Sequence, residues 1–149
     1  MEYAGGDTER QHGNAALSGV RAVELGGRRA VKCAGLLLAN QGADVIEIDT
    51  GESPELDTAE LSILGRGKRC LRLPLDAQEN ISKIVDCIGR ADVVIESDGM
   101  EAWKERGIDF HHLMKQRLHT LILCSLPPYP SSDPRVSRYW TEQSVSADA

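Results

Sequence analysis

"VRAVELGGRRAVKCAGLLLANQGADVIEID", residues 20–49, decides the fold class by its changes of period. A β-branched run at 20–25 ends at Gly26-Gly27. From Arg28 to Asn40, apolar residues recur at helical spacing, at Val31, Ala34, Leu37 and Leu38. Gly42 stands where a helix C-terminal cap is wanted, and residues 43–49 return to strand character. Strand, helix and strand in this order make a crossover unit, which places its two strands parallel in one sheet.

The alternation continues downstream. "TGESPE" after the second strand is a turn-rich loop. "RCLRLPL" (69–75) is a third strand, with Pro74 marking an edge or a strand end. Asp76 fits the N-cap of a helix over 77–89, with Glu79 completing a capping box and Ile81, Ile84, Val85 and Ile88 on the apolar face. Residues 91–96 and 119–125 read as a fourth and a fifth strand, separated by helical material around 100–117. Strands two, four and five are nearly continuous apolar runs, as expected of strands covered on both faces. "GADVIEID" and "RADVVIES" look alike, and are read as two strands of one sheet.

The fold expected is α/β: a Rossmann-like, mostly parallel sheet with crossover helices. Residues 1–16 read as a flexible leader, 17–125 as the core and 126–149 as an irregular tail. That tail carries four of the six prolines and no periodicity, so the fold is expected to be incomplete.

Composition excludes several classes. With 41% hydrophobic and 27% charged residues, the chain is globular. A net charge of −6 and only 4% aromatics disfavour nucleic acid, which needs a basic face or stacking platforms. No apolar run approaches membrane-spanning length, and the N-terminus lacks a signal-peptide core. Cys33, Cys70, Cys87 and Cys124 form no C-x-x-C pair and sit in or beside apolar segments. They are expected to be buried free thiols, which points to a reducing cytoplasm.

Ligands of such a sheet sit beyond the carboxyl ends of its strands. Gly26-Gly27, with Asp49 ending strand two, lacks the G-x-G-x-x-G spacing and reads as a tight turn. "GRGKR" (65–69) has the G-K pair of a phosphate loop, but Arg69 replaces the magnesium-binding Ser/Thr and a strand follows. Lys104 and Arg106 read as a solvated helix face. His111, His112 and His119 lack clustered carboxylates, so no metal is expected. Ser125 and Ser131 lack a nucleophile-elbow setting.

Five segments in order, over roughly residues 17–130, resemble the N-terminal part of the family III CoA-transferases, a group that includes the α-methylacyl-CoA racemases. "LSGVRAVEL" resembles the family's L-x-G-[IV]-[RK]-V-[LV]-[ED]-L, and "GLLLANQGADVIEIDTGE" its L-L-A-D-x-G-A-[DE]-V-I-[KR]-[VI]-E. "LGRGKRCLRLPLDAQEN" is similar to [NG]-R-G-K-R-S-[LI]-x-L-D-L-K. "RADVVIES" is similar to A-D-V-[LV]-[VIL]-E-N, and "LILCSLPPYP" stands where [LV]-I-Y-C-S-I-S-G-F-G is usual.

The resemblance implies CoA, as acyl-CoA, lying along the Rossmann-like domain, with no metal. It places Arg66, Gly67, Lys68 and Arg69 on the CoA-binding surface, where three cations would meet phosphates through charge-assisted bonds. In a complete member, CoA passes from an acyl-CoA to a carboxylic acid, with an aspartate as covalent carrier. A homodimer, or a partner chain supplying the rest of the fold, is also implied.

The sequence departs from the pattern at several places. Thr50 replaces a cation, and Ala30-Val31-Lys32 replaces A-G-P. Ser97-Asp98-Gly99-Met100 stands for N-F-R-P-G, and Pro127-Pro128-Tyr129-Pro130 for S-G-F-G. "WTEQSVSADA" is similar to the segment preceding the nucleophilic aspartate, which is expected beyond Ala149; Glu142 matches that segment's other acid, and Thr141 stands where the racemases carry a histidine. No catalytic residue is therefore assigned. The competing readings are a non-catalytic CoA-binding or assembly module, a racemase-like fragment and, on fold analogy alone, an NAD-binding domain.

Overall fold

The computed structural model describes residues 15–51, 56–116, 120–129 and 133. Most of the expected leader and tail therefore lies outside the described residues. Ten elements follow in order: β1 (Arg21–Leu25), α1 (Arg29–Asn40), β2 (Asp44–Asp49), α2 (Thr58–Leu64) and β3 (Arg69–Arg72). Then come α3 (Gln78–Gly89), β4 (Val93–Glu96), α4 (Met100–Glu105), α5 (Phe110–Gln116) and β5 (Ile122–Ser125).

The strands form one sheet in the order β3-β2-β1-β4-β5, and all four pairings are parallel. This is the α/β class expected from the alternating periods. The crossover at residues 20–49 sets its centre, with Val23 level with Ile46 and Val94. The edge position of β3 agrees with the reading of Pro74. Among the described residues β5 is also an edge strand, and its Ile122 is 64% exposed, so the double coverage expected from its apolar run is not found there.

Period-two alternation divides the core. Val23, Leu25, Ile48 and Val94 face Ile84 and Ile88 of α3, and Trp103, Ile108 and Phe110 complete that layer. Full burial of each large side chain stabilises the fold by about 1.5–3 kcal/mol. On the other face, Ala22, Ala43 and Val45 meet Ala39 and Leu38 of α1.

The inward face of α1 is rotated from the one its leucines suggest. Val31, Lys32, Gly35 and Ala39 are buried, while Leu37 is 66% exposed. A Cβ on Gly35 would collide with the carboxylate of Glu24 and approach Lys68. Glycine is needed there to seat the helix over charged groups.

Two local expectations are corrected. The capping box belongs to α2, between the TGESPE loop and β3, a stretch for which the sequence predicts no element. The Asp57 side chain accepts from Glu60 N (2.8 Å), and Glu60 Oε2 accepts from Asp57 N (3.1 Å). The N-cap of α3 is Ala77, without a side-chain cap; Glu79 pairs instead with Lys83 at 2.7 Å. All four cysteines are free thiols, but Cys70 is exposed and the other three are partly buried.

Candidate functional site

The sequence-predicted residues Arg66, Gly67, Lys68 and Arg69 come together on the connection from α2 into β3. Gly67 turns it with φ +75°, a left-handed conformation that glycine adopts without strain. From there the side chains diverge. Arg66 is exposed. Arg69 makes two bonds to the Asp44 carboxylate, Nε–Oδ1 at 3.0 Å and Nη2–Oδ2 at 2.5 Å, with both side chains well exposed.

The ammonium of Lys68 goes the other way. Its side chain is 1% exposed and runs beneath α1 to donate to Glu24 Oε2 at 2.6 Å and to the Lys32 carbonyl at 2.8 Å. Lys32 donates to Glu47 Oε1 at 2.5 Å and lies 3.7 Å from Glu24 Oε1. Glu47 Oε2 lies 3.7 Å from Lys68. Glu24 and Glu47 are register partners on β1 and β2, so the sheet sets two carboxylates side by side. Lysines from α1 and the β3 loop neutralise them.

Burial pushes the Glu24 carboxyl up to about 7, against the pull of Lys68 and Lys32. One of its oxygens, Oε1, is buried without a hydrogen bond. Sequence reasoning missed this cluster, although acids at the centre of two apolar parallel strands signalled a need for buried partners. Partial burial, with Glu47 and Asp49 adding to it, also pushes the Cys70 thiol up. That disfavours the thiolate a nucleophile requires.

A second constellation lies where the strand order reverses, beyond the carboxyl ends of β1 and β4. This is the ligand crevice of open parallel sheets. Gly26 (φ +98°) turns the chain out of β1, and a Cβ there would strike Ser97 Oγ. The tight-turn reading of these glycines fits that close approach. Glu96 ends β4 fully buried, and its Oε2 accepts from Asp98 N (2.8 Å), Gly99 N (2.7 Å) and Trp103 Nε1 (3.1 Å). Ser125 Oγ donates to Oε1, which ties β5 to the same carboxylate.

Asp98 sits between two guanidinium groups. Arg106 Nη1 donates to its Oδ2 at 2.5 Å, and Arg28 Nε lies 4.0 Å from Oδ1. Arg106 also lies 4.9 Å over the Trp103 ring, within cation–π range. It is therefore a packed, partnered side chain, whereas the sequence placed it on a solvated helix face. Among the described residues, no group of three or more His, Cys, Asp or Glu side chains is arranged to hold a metal. None of the described helices is long and apolar enough to cross a membrane.

The sheet order and this crevice describe an open parallel α/β fold without choosing a family. The choice comes from the sequence profile of "CoA-transferase family III", which matches residues 17–147. The chain belongs to CoA-transferase family III. Relatives in the family include the CoA-transferase/lyase DddD of Marinomonas sp., 35% identical over 133 residues, which are 88% of this chain and 16% of that protein. The succinate–glutarate CoA-transferase of Agrobacterium fabrum is 29% identical over 135 residues, covering 79% of this chain and 34% of that one. This family III chain thus spans about a third or less of the relatives it matches. A solved CAIB/BAIF family protein from Brucella suis superposes with a TM-score of 0.76 at 26% identity, over 91% of this chain and 39% of that structure. A Mycobacterium tuberculosis structure of 24% identity shares the fold with a TM-score of 0.75, over 91% and 40%.

Proposed function

We propose that this chain is the CoA-binding, Rossmann-like portion of a family III CoA-transferase-like protein. In the complete protein, CoA passes from an acyl-CoA to a carboxylic acid. The observation that carries the reading is the family match over residues 17–147, on a chain whose parallel α/β fold superposes on a CAIB/BAIF family structure. Arg66, the backbone of Gly67 and Arg69 are the proposed contacts to the CoA phosphates. Both arginines lie at the surface and Gly67 is exposed. The part proposed for Lys68 is to fasten this loop to β1 and α1, since its ammonium is already committed to Glu24 and the Lys32 carbonyl.

Calorimetry with CoA, ADP and NAD tests the proposal. CoA binds, and Arg66→Ala and Arg69→Ala each weaken it about tenfold at low salt, in keeping with loss of one charge-assisted bond. The loss shrinks at high salt because exposed charges are screened. Equal CoA affinity for wild type and the double variant overturns the site, and preference for NAD overturns the ligand.

A non-catalytic binding or assembly module is the second reading. It is favoured by Ser97 and Asp98, which crowd the switch-point crevice with the chain's own side chains. A cytoplasmic protein that pairs with a second copy or a partner chain belongs to the proposal in either case. Leu61, Ile63 and Ile122 are exposed, and β3 and β5 each present an unpaired edge within the described sheet. Sedimentation is expected to show concentration-dependent association. A monomer at every concentration refutes this.

A further inference from the structure

We infer that Glu24 is a positioning residue whose negative charge latches the GRGKR loop, and that neutralising it frees Arg66 while leaving Arg69 in place. The geometry carries the inference. Residues 65–68 lie between α2 and β3, outside both elements. Lys68 ties this turn to the sheet, since its ammonium donates to Glu24 Oε2 at 2.6 Å and to the Lys32 carbonyl at 2.8 Å. Arg66 sits two residues before that tether, within the turn. Arg69 belongs to β3, level with Ile46 of β2, and has its own two bonds to Asp44.

Among the described residues, the charged groups that face Glu24 form a balanced set. α1 supplies Lys32, β2 supplies Glu47 and the loop supplies Lys68. Ile95, opposite Glu24 on β4, is apolar, and the Cys70 thiol of β3 is pushed up and so stays neutral. A proton on Glu24 leaves two ammonium groups against the Glu47 carboxylate. Lys32 holds that carboxylate at 2.5 Å from within α1, whereas Lys68 lies 3.7 Å away, beside a turn that Gly67 makes at φ +75°. Lys68 is therefore the cation that moves. The fold tolerates the proton, because a neutral carboxyl costs less to bury than a charged one; the loop bears the loss. Burial raises the Glu24 carboxyl to about 7, so the latch works near neutral pH. That Arg66 contacts CoA rests on the function proposed above; the latch itself does not.

Hydrogen exchange at the Lys68 amide, which donates to the Gly65 carbonyl at 3.2 Å, reads the loop in the full 149-residue chain. Each rate is referred to the intrinsic rate at its pH. Protection falls about tenfold from pH 8 to pH 6 in the wild type, and is low at both in Glu24→Gln. CoA titrated by calorimetry loses about tenfold in affinity over the same interval, as for one charge-assisted bond. Glu24→Gln weakens CoA at pH 8 and loses that dependence, while carrying any contribution from CoA's own phosphates. The dependence survives Arg69→Ala and disappears in Arg66→Ala. Flat protection in the wild type overturns the latch without any variant having to fold. So does an equal fall in Glu24→Gln. If the loop opens as expected but CoA binds at neither pH, the latch stands and the CoA reading falls. If CoA binds while protection is flat, the latch falls and the CoA reading stands. A CoA affinity that ignores an opening loop overturns the positioning role.

Discussion

Lys68→Met removes one ammonium from beneath α1 while keeping the length of its apolar stem. In the native protein this ammonium lies 2.6 Å from Glu24 Oε2, 2.8 Å from the Lys32 carbonyl and 3.7 Å from Glu47 Oε2. After substitution, two buried carboxylates share Lys32 alone, and that lysine is 3.7 Å from Glu24. Removing one partner of a buried pair costs about 3–5 kcal/mol.

The lower end of that range applies here because Glu24 has an escape. Its carboxyl is already raised to about 7 by burial, so at pH 7.5 it takes up a proton once Lys68 is gone. The cost is therefore about 3 kcal/mol at pH 7.5, and it falls at pH 5.5, where Glu24 is protonated in both proteins. Urea unfolding followed by the fluorescence of buried Trp103 reads both values. Adding Glu24→Gln to Lys68→Met recovers part of the loss, because it removes the charge left behind. A change below about 0.5 kcal/mol at pH 7.5, the usual effect of replacing a surface residue, would refute the buried network. It would also return Lys68 to the ligand surface.

Two further outcomes test the structure. Between its ordinary value of 4.5 and about 7, Glu24 holds a proton in the folded protein that the unfolded chain has released. Its contribution is fully present below about pH 4.5 and is lost as pH rises through about 7, a change of about 3 kcal/mol; Glu24→Gln should flatten that part of the stability profile, and parallel profiles would contradict it. Asp57→Ala should cost about 1 kcal/mol through the α2 capping box, whereas Asp76→Ala should leave unfolding midpoints nearly unchanged because α3 starts after Ala77.

Strand–helix alternation was legible because each change of period coincides with a glycine or a turn, as at Gly26 and Gly42. The α2 helix was hidden for a physical reason. Leu61 and Ile63 face outward and only Leu64 is buried, so the segment has no apolar stripe, although D-T-A-E carried its cap. The capping box at Asp76 and Glu79 was a pattern without its geometry, since Glu79 turned to Lys83.

The GRGKR stretch shows a different limit. Sequence places three cations together, but only the fold separates the exposed Arg66 and Arg69 from Lys68. The partner of Lys68 lies 44 positions earlier in the chain. The departures from the family pattern have similar spatial answers. Lys32, where the pattern has proline, bonds Glu47, where it has a cation. Asp98, in place of the N-F-R-P-G loop, is met by Arg28 and Arg106.

The buried quartet also sets an order on the birth of the fold. Synthesis delivers Glu24, Lys32 and Glu47 well before Lys68. A nascent crossover of β1, α1 and β2 would close over two acids with a single base, in a site that burial makes costly for unbalanced charge. That unit gains its full stability only when the fourth residue leaves the ribosome and threads beneath the helix at Gly35. The middle of the sheet thus reaches its charge balance only once the loop leading into the edge strand β3 is in place.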